Sequence, residues 1–513
     1  MSDMKNTGIE AIIGLETHVR LNTGGKIFCE CSLPSNTLEI EPNSHICPIC
    51  IGHPGTLPHF QFKVLVYAVA FALAMGAKND DLVHKSFFER KHYFFWDLPK
   101  NYQITQNKNP FCRSFYQEVP REKDGSFFTV RIHHIHLEED AAKKNEDDTL
   151  KVDFNRSGAV LAEIVTDIVK ENNIDGISSP DDAKDFLRHL QRLLRWHNLS
   201  TGNPQAGDFR CDVNVSVRRF NAELNPKTEL KNIAGFDGVK EALKVEITRL
   251  SNILVSGGVF EQETRNWDSE IQKSTPSRIK ESAKDYWYYI EPDLLNLIID
   301  KNTIQQANNM LKEDLVATIK DLLNAKFPPF EVFGSILNDP WLARLVHHSI
   351  NLGVNFKRYR PLIDFFHAVS YSVDSHEREK GPCKSMWDIV SKITVDTIIE
   401  LALLKEITPD QMKVIIGTVP WIKGNFQNKK DLFNECGIKI IETDEFMELV
   451  LKLLEKVLCA YPDQTNKWLT QDDDRVANFI QGQIMSGLQK GSDGKLVRQV
   501  ILKYKQDHKA SGE

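Results

Sequence analysis

The sequence predicts an α+β fold: a mainly antiparallel sheet in the first half, a helical domain after it, and a small α-helical domain at the end. Three observations carry this. From residue 9 to about 295, short period-two segments alternate with a few helices. Those strands come in groups and not in strict strand–helix alternation, which favours antiparallel pairing. Beyond residue 296 the apolar runs are long, helical and poor in strands. The domains are placed at 1–295, 296–405 and 406–513, about three for 513 residues at roughly 150 residues each.

The first strand is GLETHVRL. Residues two apart share a strand face, so Glu16, His18 and Arg20 lie on one side and Leu15, Val19 and Leu21 on the other. RCDVNVSVR repeats the pattern, with Cys211, Val213, Val215 and Val217 opposite Asp212, Asn214, Ser216 and Arg218. TELKNI sends Glu229 and Lys231 to one side. RIHHIHLEEDAAK is the densest polar segment, and its period places Glu138 with His134 and His136, and Glu139 with Ile135 and Leu137. It does not by itself say which glutamate faces a site. Such faces are either solvated or, brought together on neighbouring strands, a site for a hard cation. Carboxylates with at most one histidine suit Mg²⁺, which retains waters for a bound phosphate.

Helices are marked by their caps and faces. At Ser179-Pro180-Asp181-Asp182 the serine can accept from free N–H groups and the proline suits the first turn. Phe186, Leu187, Leu190, Leu193 and Leu194 then form one face, and Leu243, Ile247, Leu250 and Leu254 form another further on. Both helices are expected to cover the sheet. Residues 303–405 read as helical. A tail begins at Thr408-Pro409 and ends in Val476 to Tyr504, where Ile480, Ile484 and Leu488 precede a glycine-containing break and Leu496, Val500 and Ile501.

Composition excludes several classes. Hydrophobic residues are 41% and charged residues 26%, which excludes global disorder and a multispanning membrane protein. The longest apolar run, Val64 to Ala77, is about 14 residues, short of the ~20 a bilayer span needs. No signal or transit segment precedes the first strand, so a cytoplasmic location is expected, or an organellar matrix if the chain is a processed form. The net charge of −7 argues against a uniformly basic polyanion binder. The charge is uneven, however. Between Arg475 and Lys509 seven basic residues stand against Asp493 and Asp507, a local +5 that leaves −12 for the remainder. A basic helical tail is the footprint expected where phosphate backbone is gripped.

Nine cysteines without a secretory signal point to thiols or metal ligands. Cys29, Cys31, Cys47 and Cys50 form C-x-C-x15-C-x-x-C, two knuckles able to complete a closed S₄ zinc site. The alternative is four buried free thiols. No GxxxxGK[ST] loop and no GxSxG elbow is present, so ATP is not held by a P-loop and no serine hydrolase centre is supplied.

Taken together the motifs resemble the B subunit family of the glutamyl- and aspartyl-tRNA amidotransferases. The carriers are GLETHVRLNT (14–23), ICPICIGHPGTLP (46–58), FERKHYFFWDLPKNYQITQ (88–106), HLEEDAAK (136–143), VDFNRSGAVLAEIVTD (152–167), GDFRCDVNVSVR (207–218), TELKN (228–232), ETRNWD (263–268), DYWYYIEPDL (285–294) and FIQGQIMSGLQKG (479–491). The resemblance implies a cradle-shaped catalytic domain, a helical domain and a tail that grips tRNA. It implies ATP-dependent phosphorylation of the tRNA-bound Glu or Asp carboxylate, followed by attack of ammonia to leave Gln or Asn. It implies Mg²⁺ ligands at Glu16, His18, Glu139, Asp212 and Glu229, which chooses Glu139 over Glu138 by resemblance alone. Arg90, Lys91, Lys143 and Lys231 are the matching candidates for phosphate contact, with Asn155 and Arg156 weaker ones. Ammonia comes from an amidase-type A subunit, with a small C subunit strapping the two in a heterotrimer. Ala142, Trp287 and Ile290 depart from a glycine, an arginine and a proline of the family pattern. A catalytically impaired tRNA-binding scaffold and a ligase acting on a small acid without tRNA are the competing readings.

Overall fold

The computed structural model describes residues 8–34, 40–144, 151–168, 176–279, 286–356, 362–363, 366–367, 399, 443–470, 474–488 and 494–510. Most of the expected helical domain beyond residue 356 and the start of the tail lie outside the described residues. The chain forms two compact units, Met1–Gly334 and Ser335–Glu513. The first keeps the helices of residues 301–334 with the sheet.

The first unit is α+β. Its strands are β1 (Ile9–Arg20), β2 (Lys85–Ser86), β3 (Glu89–His92), β4 (Tyr102–Thr105), β5 (Phe115–Pro120), β6 (Phe127–Glu139), β7 (Lys143–Lys144) and β8 (Val152–Asp153). Then come β9 (Val160–Thr166), β10 (Phe209–Arg219), β11 (Thr228–Lys231), β12 (Glu263–Asp268), β13 (Lys273–Ile279), β14 (Trp287–Ile290) and β15 (Leu297–Ile298). Eight of them make one sheet in the order β13-β12-β11-β10-β1-β9-β6-β5. Its pairs are antiparallel except β11 with β12, as the grouping of strands predicted. A smaller sheet runs β14-β3-β4.

Register makes the sheet two-faced. Leu15 pairs with Val213, Thr17 with Cys211 and Ile164, and Val19 with Ala162, while Leu137 also faces Ala162. These side chains are buried and form the apolar face. Glu16 pairs with Asp212, and His18 with Arg210 and Glu163, on the other face.

Helix α1 (Phe62–Ala74) is the apolar run noted above. Ala68, Val69, Ala70 and Phe71 are wholly buried, so it is a core helix, apolar on all sides, and needs no membrane. Among the described residues no helix is long and apolar enough to cross a bilayer. Helix α2 (Pro180–Trp196) starts where expected, the Ser179 hydroxyl accepting from the Asp182 N–H at 3.0 Å. Helix α3 (Gly235–Ser256) ends at Gly257, whose φ of 72° is left-handed backbone that glycine adopts without a Cβ penalty. The two helices pack on each other, and α3 lies against β10. Helices α4 (Lys301–Met310), α5 (Leu315–Asn324) and α6 (Pro329–Gly334) complete the unit.

In the second unit, α7 (Pro340–Asn351) is capped by the Asp339 carboxylate, which accepts from the N–H groups of Trp341 and Leu342. Helices α8 (Thr443–Ala460), α9 (Pro462–Thr470), α10 (Asp474–Gly487) and α11 (Gly494–Ala510) enclose Val450, Leu454, Trp468, Ile480, Ile484, Val497 and Ile501. Ile480 and Ile484 on α10, and Val500 and Ile501 on α11, therefore pack as their spacing predicted. Arg498 pairs with Asp474 at 2.9 Å, and Lys505 is buried with its ammonium 5.7 Å from the Trp468 ring centre. Those two basic residues serve the fold of the tail.

Candidate functional site

The polar sheet face gathers two clusters on β1 and its neighbours. In the first, His18 Nε2 lies 3.2 Å from a Glu138 oxygen and 3.3 Å from a Glu163 oxygen. His136 Nε2 reaches the same Glu163 carboxylate at 3.2 Å and Glu138 at 3.8 Å. One nitrogen of His18 and one oxygen each of Glu138 and Glu163 lie within 4.8 Å of one another, close enough to hold a metal ion.

Electrostatics bind these four groups as a unit. Burial disfavours charge on every member, but the two carboxylates outweigh it at the rings, raising His136 to about 9 and His18 well above its usual range. Burial likewise opposes the carboxylates, and the rings lower Glu138 to about 2 and Glu163 well below the usual carboxylate range. Two imidazolium and two carboxylate charges sum to zero. A divalent cation can replace the two ring protons without changing that sum. Two carboxylates and an imidazole form a donor set that suits Mg²⁺ or Mn²⁺.

The second cluster follows from register. Glu16 faces Asp212 across β1 and β10, and Asn214 faces Glu229 across β10 and β11. The Asn214 amide donates to Glu16 at 2.8 Å. Lys231 bridges Asp212 at 2.7 Å and Glu229 at 3.0 Å, and Thr264 donates to Glu229 at 2.9 Å. Burial would lower the Lys231 ammonium, but the two carboxylates raise it above its usual range. A fixed cation thus sits between carboxylates, and its side chain is 39% exposed.

Aromatic side chains from the smaller sheet approach the first cluster. Burial and the Glu163 charge push the Tyr288 phenol up to about 12. Burial and the charges of Glu138 and Asp97 raise Tyr93. The Lys91 ammonium stands 4.7 Å from the Tyr286 ring centre and 5.7 Å from that of Tyr93, which brings one predicted cation into this neighbourhood.

Other predicted residues have different surroundings. Glu139 shares its strand face with Leu137, as its parity requires, and is not brought to the cluster. Its carboxylate accepts from Lys100 at 2.6 Å and from the Ile104 N–H at 2.8 Å. Arg90 makes a bidentate pair with buried Glu291 at 2.8 and 2.7 Å and reaches Asp293 at 2.9 Å. Lys143 is exposed on β7. Asn155 ties the 41–45 loop, accepting from the His45 N–H and donating to the Glu41 carbonyl, both at 2.8 Å. Arg156 and Arg210 share the Asp140 carboxylate. Ala142 is buried, with its N–H donating to the Asp97 carbonyl, and Trp287 is 72% exposed on β14.

Glu163 and His136 complete the first cluster without having been singled out as ligands, and Glu138 is the glutamate that the strand period had left open beside Glu139. The signal for Glu163 was present: a lone carboxylate in the apolar strand VLAEIVT, out of phase with Ala162 and Ile164.

The four cysteines do converge, with their sulfurs within 4.8 Å of one another. Buried Lys26 donates to Cys50 Sγ at 3.3 Å and to the Phe154 carbonyl at 3.1 Å, and the Cys47 N–H points at the same sulfur. The Cys29 thiol, the Cys47 amide and Lys26 lower Cys50 to about 4 against its burial, whereas burial and Cys47 raise Cys31 to about 11. Four convergent sulfurs form a closed donor set of the kind that holds zinc.

Comparison with known proteins decides the family. The model of the GatB/GatE catalytic domain matches residues 11–305. The chain belongs to the GatB/GatE family. It is 32% identical over 508 residues to the B subunit of the aspartyl/glutamyl-tRNA(Asn/Gln) amidotransferase from Thermoanaerobacter pseudethanolicus, covering 96% of this chain and 98% of that protein. The B subunit from Thermodesulfovibrio yellowstonii is 31% identical over 502 residues, with the same coverage. That from Carboxydothermus hydrogenoformans is 40% identical over 311 residues, 59% of this chain and 62% of the relative. Both clusters and the cysteine site lie inside the span matched by the GatB/GatE model.

Proposed function

We propose that this chain is the transamidating component of a tRNA-dependent amidotransferase, converting Glu-tRNA(Gln), Asp-tRNA(Asn) or both to the amidated forms. The observation that carries the reading is the polar sheet face, with a cation-ready triad beside a lysine-bridged carboxylate group, in a GatB/GatE member. The γ-phosphoryl group of ATP passes to the side-chain carboxylate of the tRNA-bound residue, releasing ADP and leaving an acyl phosphate. Ammonia then attacks the carbonyl carbon, phosphate departs, and the amide remains.

His18, Glu138 and Glu163 hold Mg²⁺, with Glu16, Asp212 and Glu229 as the second carboxylate group of the same face. Bound there, Mg²⁺ supplies charge neutralisation at the phosphate oxygens. Lys231 and Lys91 add fixed positive charge for phosphate, and the Tyr93, Tyr286 and Tyr288 rings limit water at the reacting carboxylate. Arg90 acts through Glu291 to hold the segment that follows β14. The cysteine cluster holds structural Zn²⁺. The first unit is the catalytic cradle, the basic tail binds tRNA, and an amidase-type A subunit supplies ammonia, with a small C subunit joining the two. The complex works in the cytoplasm.

The test uses the assembled complex. Glu16→Gln, Asp212→Asn and Glu138→Gln should abolish ATP-dependent amidation while the partner keeps its glutaminase activity. Wild-type turnover in these variants removes the assignment. Buried Ala142, where the family pattern has glycine, is the feature that favours a scaffold reading. A complex that binds misacylated tRNA without stimulated ATP hydrolysis would establish that reading instead.

A further inference from the structure

Beside the cysteine cluster lies a cation that the function proposed above does not use. Lys26 precedes Cys29 by one short turn of chain and is 0% exposed. Lysine is almost never fully buried unless paired, because taking its charge out of water is costly. Among the described residues its ammonium meets Cys50 Sγ at 3.3 Å and the Phe154 carbonyl at 3.1 Å, and it pairs with no carboxylate. Both neighbours are acceptors, as three N–H donors without an acceptor require. A carbonyl carries no net charge and a neutral thiol is a weak acceptor. Burial of this cation is therefore accounted for when the Cys50 sulfur is a thiolate, the form in which cysteine binds zinc.

The cluster is also lopsided. Cys29 and Cys50 are buried, whereas Cys31 and Cys47 are half-buried. Water can screen charge on the half-buried pair but not on Cys50, where Lys26 and the Cys47 N–H, 3.2 Å from the same sulfur, take its place. The Lys26 backbone N–H donates to the Cys31 carbonyl at 3.1 Å, so one residue holds both knuckles. Phe154 opens a segment that returns to them: the Ser157 hydroxyl donates to the Cys50 carbonyl at 2.6 Å, and the Gly158 carbonyl accepts from the Ile27 N–H at 2.8 Å. The Gly158 N–H in turn donates to the Asp140 carbonyl at 3.0 Å, and the Asp140 carboxylate holds Arg156 and Arg210. The cysteine cluster is thereby joined to the polar sheet face, where Arg210 pairs in register with His18.

We propose that Lys26 is a positioning residue of the zinc site: its ammonium stays on the Cys50 thiolate, offsets part of the negative charge of the tetrathiolate and fastens the site to the 154–158 segment. Four thiolates and one Zn²⁺ sum to −2, and the lysine brings that sum to −1. This role rests on zinc at the four cysteines, as proposed above.

The experiment compares the full chain with Lys26→Met, which keeps most of the apolar stem and removes the charge, and Lys26→Arg, which keeps the charge and enlarges the head. Zinc content and zinc transfer to a chromophoric chelator are measured for each, and absorption spectra are recorded after loading with Co²⁺. Removing a partner of a metal ligand typically costs about 10–100-fold in metal affinity, so Lys26→Met should hold zinc at least tenfold more weakly, with Lys26→Arg nearer the wild type. The sulfur-to-cobalt charge-transfer band should move to lower energy in Lys26→Met, because a sulfur without its N–H donor holds its electrons less tightly. If neither variant folds, the wild type decides: NMR of the ¹¹³Cd-loaded, ¹⁵N-lysine-labelled chain should show one ammonium coupled to cadmium. Absence of that coupling overturns the proposal. So does zinc held by Lys26→Met as tightly as by wild type with an unmoved cobalt band, or by Lys26→Met more tightly than by Lys26→Arg, which would mean packing and not charge. Those results leave the zinc reading standing, whereas a wild type that takes up no zinc removes both.

Discussion

Replacing Glu163 with Gln removes the carboxylate that lies within 3.3 Å of both His18 and His136, at 3.3 and 3.2 Å, and leaves Glu138 facing the two rings alone. The ring of His136 is raised from 6.5 to about 9, a shift worth on the order of 3 kcal/mol of native stability at neutral pH at about 1.4 kcal/mol per unit. Glu163 is its foremost attractive partner, so the variant should lose about 2–3 kcal/mol in metal-free buffer. The sign determines the window. A raised histidine contributes stability that is complete below 6.5 and disappears as pH rises through about 9. The lowered Glu163 contributes above 4.5 and is lost as pH falls further. The difference between wild type and variant should therefore be largest near pH 5–7 and shrink toward pH 10. Urea unfolding of the full chain in EDTA across that range measures it. Adding Mg²⁺ at about a hundred times its dissociation constant should stabilise the wild type by ~2.7 kcal/mol. Glu163→Gln, lacking one of three ligands, should gain far less. A pH-independent loss, or equal stabilisation of both proteins by Mg²⁺, would refute the reasoning.

Further outcomes follow from the same surroundings. Burial and the Glu122 charge raise Asp185 from 3.8 to about 6, so its carboxylate opposes folding above pH 6 and not below pH 4. Asp185→Asn should raise stability by about 1–3 kcal/mol at pH 7 and leave it unchanged near pH 4, read by thermal melts at the two pH values. Arg90→Met strands the fully buried Glu291 carboxylate and should cost about 3 kcal/mol or more in urea unfolding. Elemental analysis of the purified chain should find about one zinc, lost when Cys47 and Cys50 are both changed to Ser. In the tail, exposed Lys503 should weaken tRNA binding when changed to Glu and lower the salt slope by about 1, as titrations at several salt concentrations would show.

Period-two patterning made the two faces of β1, β10 and β11 legible, because side-chain alternation in a strand is a local property. The same parity placed Glu138 with His136 and Glu139 with Leu137, and the structure keeps that division. Resemblance selected Glu139, whereas its surroundings depend on Lys100, thirty-nine positions earlier in the chain. Arg90 is a similar case, since its partner Glu291 lies 201 residues away. Such pairings follow from how β14, β3 and β4 assemble, which no local pattern encodes. The pairing of Glu16 with Asp212 likewise depends on strand order and register. Ser179 was readable because a cap needs only its own next three residues. The cysteine knuckles were readable because their spacing serves one geometry.

The most direct test of the account is an anomalous difference map from crystals of the full chain grown with Mn²⁺ and ATP. A peak is expected about 2.0–2.3 Å from His18 Nε2 and from one oxygen each of Glu138 and Glu163, the range of Mn²⁺-like coordination to nitrogen and oxygen. A peak ligated by Glu139 with its Lys100 pair broken, or no peak on this sheet face, would contradict it.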